Sequence, residues 1–425
     1  MTDFEGTLSR RSFAKMSLAA SVALTSGATM LQRALAQEAT PIGQESTPAP
    51  ETGAGLPPLP EGATLYAQGL WNPRFLEFGD DGTLYITENG IGGDEVVAPA
   101  GNGENEGSAT PGATPVTAAT PAPDEAAGAT STRGYTGQLS KVAPDGTQSV
   151  IVGGLISYSD GVGPVGLALG SGVAYFSIGG AAVGAGLTPD PEENTVNTVD
   201  VTTGEITQTV DLGQYEVDNN PDGTDVNPNL YMIARNTDGT LLVADAGGNT
   251  IYSVDPETGT FSLVGVVPDL MALAGVAPTA DQGSGQPVPT SVTVGGDGTI
   301  YVGLLRENWP AEAPSILTMS SDGTFTPFPT SEPLQFTVSL VAGPDGNLYA
   351  SELFGTMTAQ GPGPGRVLQI TPDGTVTPVV EGVMMPHGVT FDADGNLYVA
   401  INTLMSGPDM PAGQVIRMDG VASGA

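Results

Sequence analysis

Three acids stand at one matched place in a phrase that this chain repeats, and they are the residues best suited to do chemistry. Glu88, Asp245 and Glu352 each close the second apolar run of a copy. One residue past the proline that opens the first run, or past its equivalent, stand Arg74, Val165, Asn229, Thr290, Phe336 and His387. If both places face one axis, three carboxylates gather near Arg74, Asn229 and the sole histidine. Such an oxygen-rich set suits a hard divalent cation, calcium or magnesium, or a polar ligand. A second reading stays open for each acid: a carboxylate ending a strand also caps the turn that follows. Asp245-Ala246-Gly247-Gly248-Asn249 fits that pattern. A lone histidine at a Gly-rich strand start is equally at home as a packed, hydrogen-bonded residue. Arg74 and Arg306 are the cations of interest, since each must pair a ring acid or meet an anionic ligand. Trp309 lies in a long insertion and could line a ligand surface.

Other chemistry is excluded or unsupported. There is no cysteine, so disulfides, thiolate metal sites and cysteine nucleophiles are ruled out. One histidine rules out a three-His zinc site. No Gly-x-Ser-x-Gly elbow or phosphate loop stands in a strand–turn–helix setting. The 425 residues carry 11 Lys+Arg against 47 Asp+Glu, a formal net charge of -36. A surface that acidic repels nucleic acid and anionic membranes.

The elements that must position these residues are short strands in pairs. The phrase runs Pro73–Glu88, Pro164–Ile178, Pro228–Asp245, Pro289–Leu304, Gln335–Glu352 and Pro386–Ile401, five clear copies and one looser. Each copy is an apolar run, a Gly or Asp-Gly turn and a second apolar run. A second hairpin follows most copies, as in Thr250–Val254 and Thr260–Val264 around Pro256-Glu257-Thr258-Gly259. Four short antiparallel strands per repeat make the blade of a β-propeller. The last copy lacks a fourth strand, and Thr64–Leu70 precedes the first copy without a partner. The expectation is an all-β, six-bladed propeller over residues 62–420, closed by that N-terminal strand, which removes an exposed sheet edge. Residues 421–425 read as a flexible tail.

With a, b, c and d naming the strands of a blade from the axis outward, the a–b and c–d turns are tight and lie on one face. The long connections fall on the other: 92–132, 179–193, 212–225, 267–287, 355–365 and 403–412. Elaborated loops on a scaffold mark the functional face.

Outside the propeller the chain reads as address and tether. Residues 1–36 have the order of an export signal: Ser9-Arg10-Arg11-Ser12-Phe13-Ala14-Lys15, then a weakly apolar stretch, then Ala34-Leu35-Ala36. The expectation is twin-arginine export to an extracytoplasmic place: periplasm, cell surface or medium. No segment of the mature protein is long and apolar enough to be an integral membrane helix. Residues 37–61 are Pro-, Thr- and Glu-rich and read as a disordered linker. The 92–132 stretch is a low-complexity insertion of the same texture within blade 1.

Gly69-Leu70-Trp71-Asn72-Pro73-Arg74, followed by Phe78–Tyr85, resembles the opening of the ScyD/ScyE family, exported propellers named for biosynthesis of the pigment scytonemin. Leu242–Asn249 and Pro289–Val294 resemble the same family, in the same order. The resemblance implies an exported six-bladed propeller of NHL-like repeats and carries no catalytic motif. The leading function is therefore a ligand- or protein-binding scaffold that uses the long-loop face, its partner an unnamed small molecule or protein. The alternative is a divalent-metal propeller enzyme with a carboxylate/Asn/His site. It would be a lactonase-like hydrolase or a virginiamycin-lyase-like protein, whose repeat Pro386-His387-Gly388-Val389 resembles. A quinone-dependent sugar dehydrogenase is a third option, for which only His387 offers a cofactor-facing histidine.

Overall fold

A computed structural model describes residues 56–97, 131–275, 285–306, 312–355, 357–358 and 361–423. Residues 1–36, read as an export signal, most of residues 37–61, read as a linker, the bulk of the 92–132 insertion and Trp309 lie outside the described residues.

Among the described residues five four-stranded antiparallel sheets form the ring with a sixth, blade 1, to which the short strand Glu95–Val96 adds a fifth member by pairing with Thr132 and Arg133. Blade 1 is built from Pro73–Phe78, Leu84–Glu88, Thr132–Val142 and Gln148–Tyr158. Blade 2 uses Pro164–Leu169, Val173–Ile178, Thr195–Asp200 and Ile206–Asp211; blade 3 uses Leu230–Arg235, Leu241–Asp245, Thr250–Val254 and Phe261–Val266. Blade 4 follows with Pro289–Val294, Ile300–Leu304, Ile316–Met319 and Phe325–Phe328, and blade 5 with Thr337–Ala342, Leu348–Glu352, Gly365–Ile370 and Val376–Val383. Blade 6 takes Val389–Phe391, Leu397–Ile401 and Gly413–Met418 from the C-terminal end. Its outermost strand is Thr64–Leu70, which pairs antiparallel with Gly413–Met418 from Thr64↔Arg417 to Leu70↔Gly413. The ring is closed by hydrogen bonds between the two extremities of the domain.

The apolar runs explain the layering. Every residue of strand b is buried in blades 1, 3, 5 and 6, because a blade is covered by a neighbour on each side. The d strands of blades 2 and 4 are largely open to solvent. Adjacent blades share apolar clusters, such as Leu242, Ala244 and Ile251 with Val292, Val302 and Leu317. Hydroxyls add a second bond between blades. Thr87 Oγ1 donates to Val165 O at 2.5 Å, Thr290 Oγ1 to Thr337 O at 2.8 Å and Ser351 Oγ to His387 O at 2.5 Å. Ser177 Oγ does the same to Tyr231 O.

The tight turns owe their shape to aspartate. Asp81, Asp145, Asp238, Asp297, Asp322 and Asp373 each accept the backbone N–H two residues on, and a positive-φ glycine stands between. The opposite face carries the long connections, including a short helix, Gly213–Asn219, between blades 2 and 3.

Two expectations change. The outer strands of blade 1 extend to Thr132–Val142 and Gln148–Tyr158, well past the runs legible in sequence. Residues 421–423, read as tail, turn back: Ala422 is buried and its N–H donates to Gly395 O at 2.9 Å.

Candidate ligand site at the propeller axis

Each of five inner strands begins with the same irregularity. The a–b ladders slip between Pro73 and Leu76, Pro164 and Leu167, Leu230 and Ile233, Pro289 and Ser291, and Thr337 and Ser339. A bulge turns a side chain that regular pleating would send elsewhere. The pairing also corrects the alignment of repeats. Leu230, not Pro228, lies opposite Asp245 as Pro73 lies opposite Glu88, and Thr337 lies opposite Glu352. The residues matched around the axis are therefore Arg74, Val165, Tyr231, Thr290, Val338 and His387. Asn229 and Phe336 stand two residues earlier, in the lead-in to strand a, where Asn72, Val288 and Met385 stand in their own blades.

Those lead-in residues obey one backbone rule. The residue after strand b donates its N–H to the lead-in carbonyl: Asn89 to Asn72, Ala246 to Asn229, Leu305 to Val288 and Leu353 to Phe336, each at 3.0 Å. Four lead-in residues hold left-handed backbone: Asn72 at φ 57°, Val288 at 45°, Phe336 at 51° and Met385 at 45°. Asparagine tolerates this region; valine, phenylalanine and methionine do so at a cost. The side chains of Val288, Phe336 and Met385 pack with Leu305, Leu353, Phe354, Leu404 and Met405 in one apolar cluster on the long-loop face.

The three ring acids are turn caps in this structure. Glu88 Oε2 accepts from Trp71 N at 2.5 Å, and its Oε1 accepts from Gln138 Nε2 and the Ser140 hydroxyl. Asp245 Oδ1 accepts from Asn229 N at 2.8 Å, Gly247 N at 3.0 Å and Gly248 N at 2.8 Å. Glu352 Oε1 accepts from Gln335 N at 2.7 Å and its Oε2 from Arg366 Nε at 2.5 Å. The recurring donor is the amide just before strand a, so each acid ties the two ends of its own hairpin. The three do not converge, and among the described residues no group of three or more His, Asp or Glu could hold a metal ion.

What does converge is a polar cluster from blades 1, 3 and 6. Tyr231 Oη lies 2.7 Å from His387 Nε2, a bond that joins opposite blades across the axis. Phe75 meets both rings edge-on, at 5.1 Å from His387 and 6.1 Å from Tyr231. These three side chains fill the centre of the ring. His387 is fully buried, and its Nδ1 makes no hydrogen bond of normal geometry. Burial, then the nearby Arg74 charge, holds its pKa well below 6.5, so the ring is neutral.

Arg74 is buried beside it. Its Nε donates to Asn89 Oδ1 and its Nη2 to Gly161 O, each at 2.6 Å. Both acceptors are neutral. Asp160 stands near enough for its charge to act on Arg74, and burial pushes its carboxyl up to about 6. Asp160 Oδ1 is buried without a hydrogen bond. A side chain at Gly161 would strike both Arg74 Nη2 and Leu404 Cδ2, so Leu404, which packs on that apolar cluster, stands near the guanidinium.

Arg306 lies elsewhere. Its guanidinium is fully buried and feels Glu312, while its carbonyl accepts from Phe336 N at 2.9 Å. Asn229 is half-buried at the junction of blades 2 and 3, facing Gly179. Tyr231, Asn89 and Asp160 are functional candidates that the repeat phrase does not reveal. Tyr231 is masked by Pro228, and the register of Asp245 is the signal that finds it. Asn89 stands at the matched position after strand b, where the other blades carry Gly179, Ala246, Leu305, Leu353 and Asn402, and Asp160 sits in the turn that leads from blade 1 to blade 2.

No family model matches this sequence and no curated protein matches it. Solved structures of similar architecture include a catalytically inactive virginiamycin B lyase from Staphylococcus aureus, with quinupristin. It is 14% identical, with 84% of this chain and 97% of that chain covered and a TM-score of 0.43. A gluconolactonase from Xanthomonas campestris is 12% identical, covering 84% and 90%, with a TM-score of 0.48. A putative oxidoreductase (glucose dehydrogenase) from Thermus thermophilus is 16% identical, covering 84% and 98%, with a TM-score of 0.43. At these values the likenesses carry no argument about activity, and the propeller assignment rests on the strand pairing itself.

Proposed function

We propose that this chain is an exported, ScyD/ScyE-like binding propeller whose long-loop face takes a small, largely apolar molecule at the axis. The ligand presents an anionic or hydrogen-bond-accepting group to Arg74. The observation that carries this reading is a buried guanidinium held by two neutral oxygens, in a chain where acids outnumber Lys+Arg by 47 to 11. A buried charge is expensive unless something complements it. Leu404, near Arg74, packs on the apolar cluster of Phe336, Phe354 and Met385, and together they supply the matching wall. Three of its lead-in residues hold strained backbone, which persists where the surroundings over-determine it, commonly at ligand sites. The metal-enzyme alternative asks Glu88, Asp245 and Glu352 to meet, and each instead ties its own hairpin.

The test titrates the mature protein calorimetrically with aromatic and medium-chain monocarboxylates and with their neutral amides. A carboxylate should bind at least about tenfold more tightly than its amide, about 1.4 kcal/mol. Arg74→Gln should erase that preference. Equal or absent binding of both classes overturns the reading. Export is tested separately: Arg10→Lys with Arg11→Lys should leave the protein in the cytoplasm.

A further inference from the structure

Arg74 shares the axial mouth with a buried charge of the opposite sign. Asp160 follows strand d of blade 1, in a turn closed by Tyr158 N donating to Val162 O at 2.8 Å and by Gly161 N donating to Tyr158 O at 3.1 Å. Asp160 is only 8% exposed, and its Oδ1 is shut off from solvent and accepts no hydrogen bond of normal geometry. The Ser131 hydroxyl and the residue's own N–H lie close enough to favour the ionised form, with the Arg74 charge adding to them, but burial outweighs all three. A carboxylate in such surroundings ordinarily holds several donors.

The two charges are neighbours that do not bond each other. Arg74 Nη2 donates to the carbonyl of Gly161, the residue next to Asp160, and Nε donates to Asn89 Oδ1. The guanidinium thus spends these bonds on neutral oxygens, one residue away from an acid whose charge it feels. Each charge sets a condition on what can bind. A plain monocarboxylate complements Arg74 but brings a second negative charge beside Asp160, where like charges repel more strongly than in water. A plain amine has the converse fault. A molecule that carries both groups on one carbon answers both, and adds no net charge to a chain whose formal charge is already -36.

We propose, resting on the axial binding argued above, that the ligand is a free α-amino acid with a large apolar side chain. Its carboxylate meets the Arg74 guanidinium, its ammonium group meets Asp160 Oδ1, and its side chain lies against Leu404, which packs on Phe336, Phe354 and Met385. Gly161 is where the charged and apolar walls join. A methyl group built there would strike Arg74 Nη2 and Leu404 Cδ2 alike, and its φ of 94° favours glycine. The turn therefore keeps the junction between the two walls clear of side chain.

The experiment titrates the mature protein calorimetrically with four probes of one shape: L-phenylalanine, hydrocinnamate, hydrocinnamide and phenethylamine. At about pH 7.5 Asp160, whose carboxyl burial pushes up to about 6, is ionised. L-Phenylalanine should bind at least about tenfold more tightly than hydrocinnamate or phenethylamine, because each of those leaves one buried charge unanswered. Asp160→Asn should weaken L-phenylalanine at least about tenfold and tighten hydrocinnamate, since the repelling charge is gone. A turn that had merely lost its shape would weaken both, and that result overturns the inference. Should the variant fail to fold, the wild-type comparison decides alone. Hydrocinnamate binding as tightly as L-phenylalanine, while still preferred to hydrocinnamide, overturns the amino acid and leaves the axial carboxylate site standing. Equal or absent binding of hydrocinnamate and hydrocinnamide removes that site, and the amino acid with it.

Discussion

The Tyr231–His387 bond is the polar contact that crosses the ring, and it fixes the histidine's role before any ligand is considered. In the tautomer where Tyr231 donates to Nε2, the neutral ring carries its proton on Nδ1. Tyr231→Phe leaves Nε2 buried without a donor. The expected loss is about 1–3 kcal/mol in denaturant unfolding, because an orphaned buried acceptor forfeits its full desolvation energy. A loss near zero would show that the bond contributes little to holding the centre. At this scale the sequence was partly legible. Arg74 and His387 could be placed because a proline flags the start of each strand, and proline's missing N–H suits it to the first residue of a strand. Tyr231 could not, since Pro228 opens a lead-in rather than a strand. The acids were ambiguous for a physical reason: a carboxylate that caps an amide and one that awaits a cation have the same position in a repeat. Only the location of the amide before strand a decides between them.

The individual blades were the most legible part of the molecule. Asp-Gly turns and alternating apolar runs leave few alternatives for a hairpin, and the closing strand followed from counting unpaired runs. The bulge at the head of strand a was not legible, because one extra residue leaves the apolar pattern nearly unchanged. It goes with the left-handed backbone of Val288, whose effect can be weighed. A β-branched residue there stores about 1–3 kcal/mol. Val288→Gly should therefore destabilise less than Val292→Gly, at a fully buried position whose backbone is ordinary. Comparing the two midpoints in urea checks this; equal losses would mean the strain is negligible. Deleting Thr64–Leu70 exposes the edge of Gly413–Met418 and removes Ala67 and Leu70, both buried. The shortened protein should melt at lower temperature and aggregate, as light scattering during unfolding would report.

For the whole molecule the pH response is a contest of opposing groups. Burial pushes the Glu77 carboxyl up to about 7 and Asp160 up to about 6. Both contribute stability that is full below their unfolded values and is lost as pH rises through 6 to 7. His387 acts in the other sense: its folded pKa lies below 6.5, so stability is lost as pH falls beneath that value. Between pH 5 and 7 the two effects oppose, and the wild-type curve should be shallow. Glu77→Gln removes one of the two acids on that side and leaves Asp160. Relative to the wild type, measured at constant ionic strength, its stability should rise as pH goes from 5 to 8, and at pH 8 it should exceed the wild type. Below about pH 4 the turn aspartates, whose amide bonds depress their pKa values, weaken the fold in both proteins.

Blade 6 is sewn from both extremities of the domain, so Thr64 and Arg417 are neighbours although 353 positions separate them. Order along the polypeptide is therefore not what the architecture needs. A rearranged gene that joins the two extremities by a short peptide, and opens new ends at the exposed turn Asp145–Gly146, should yield the same circular assembly.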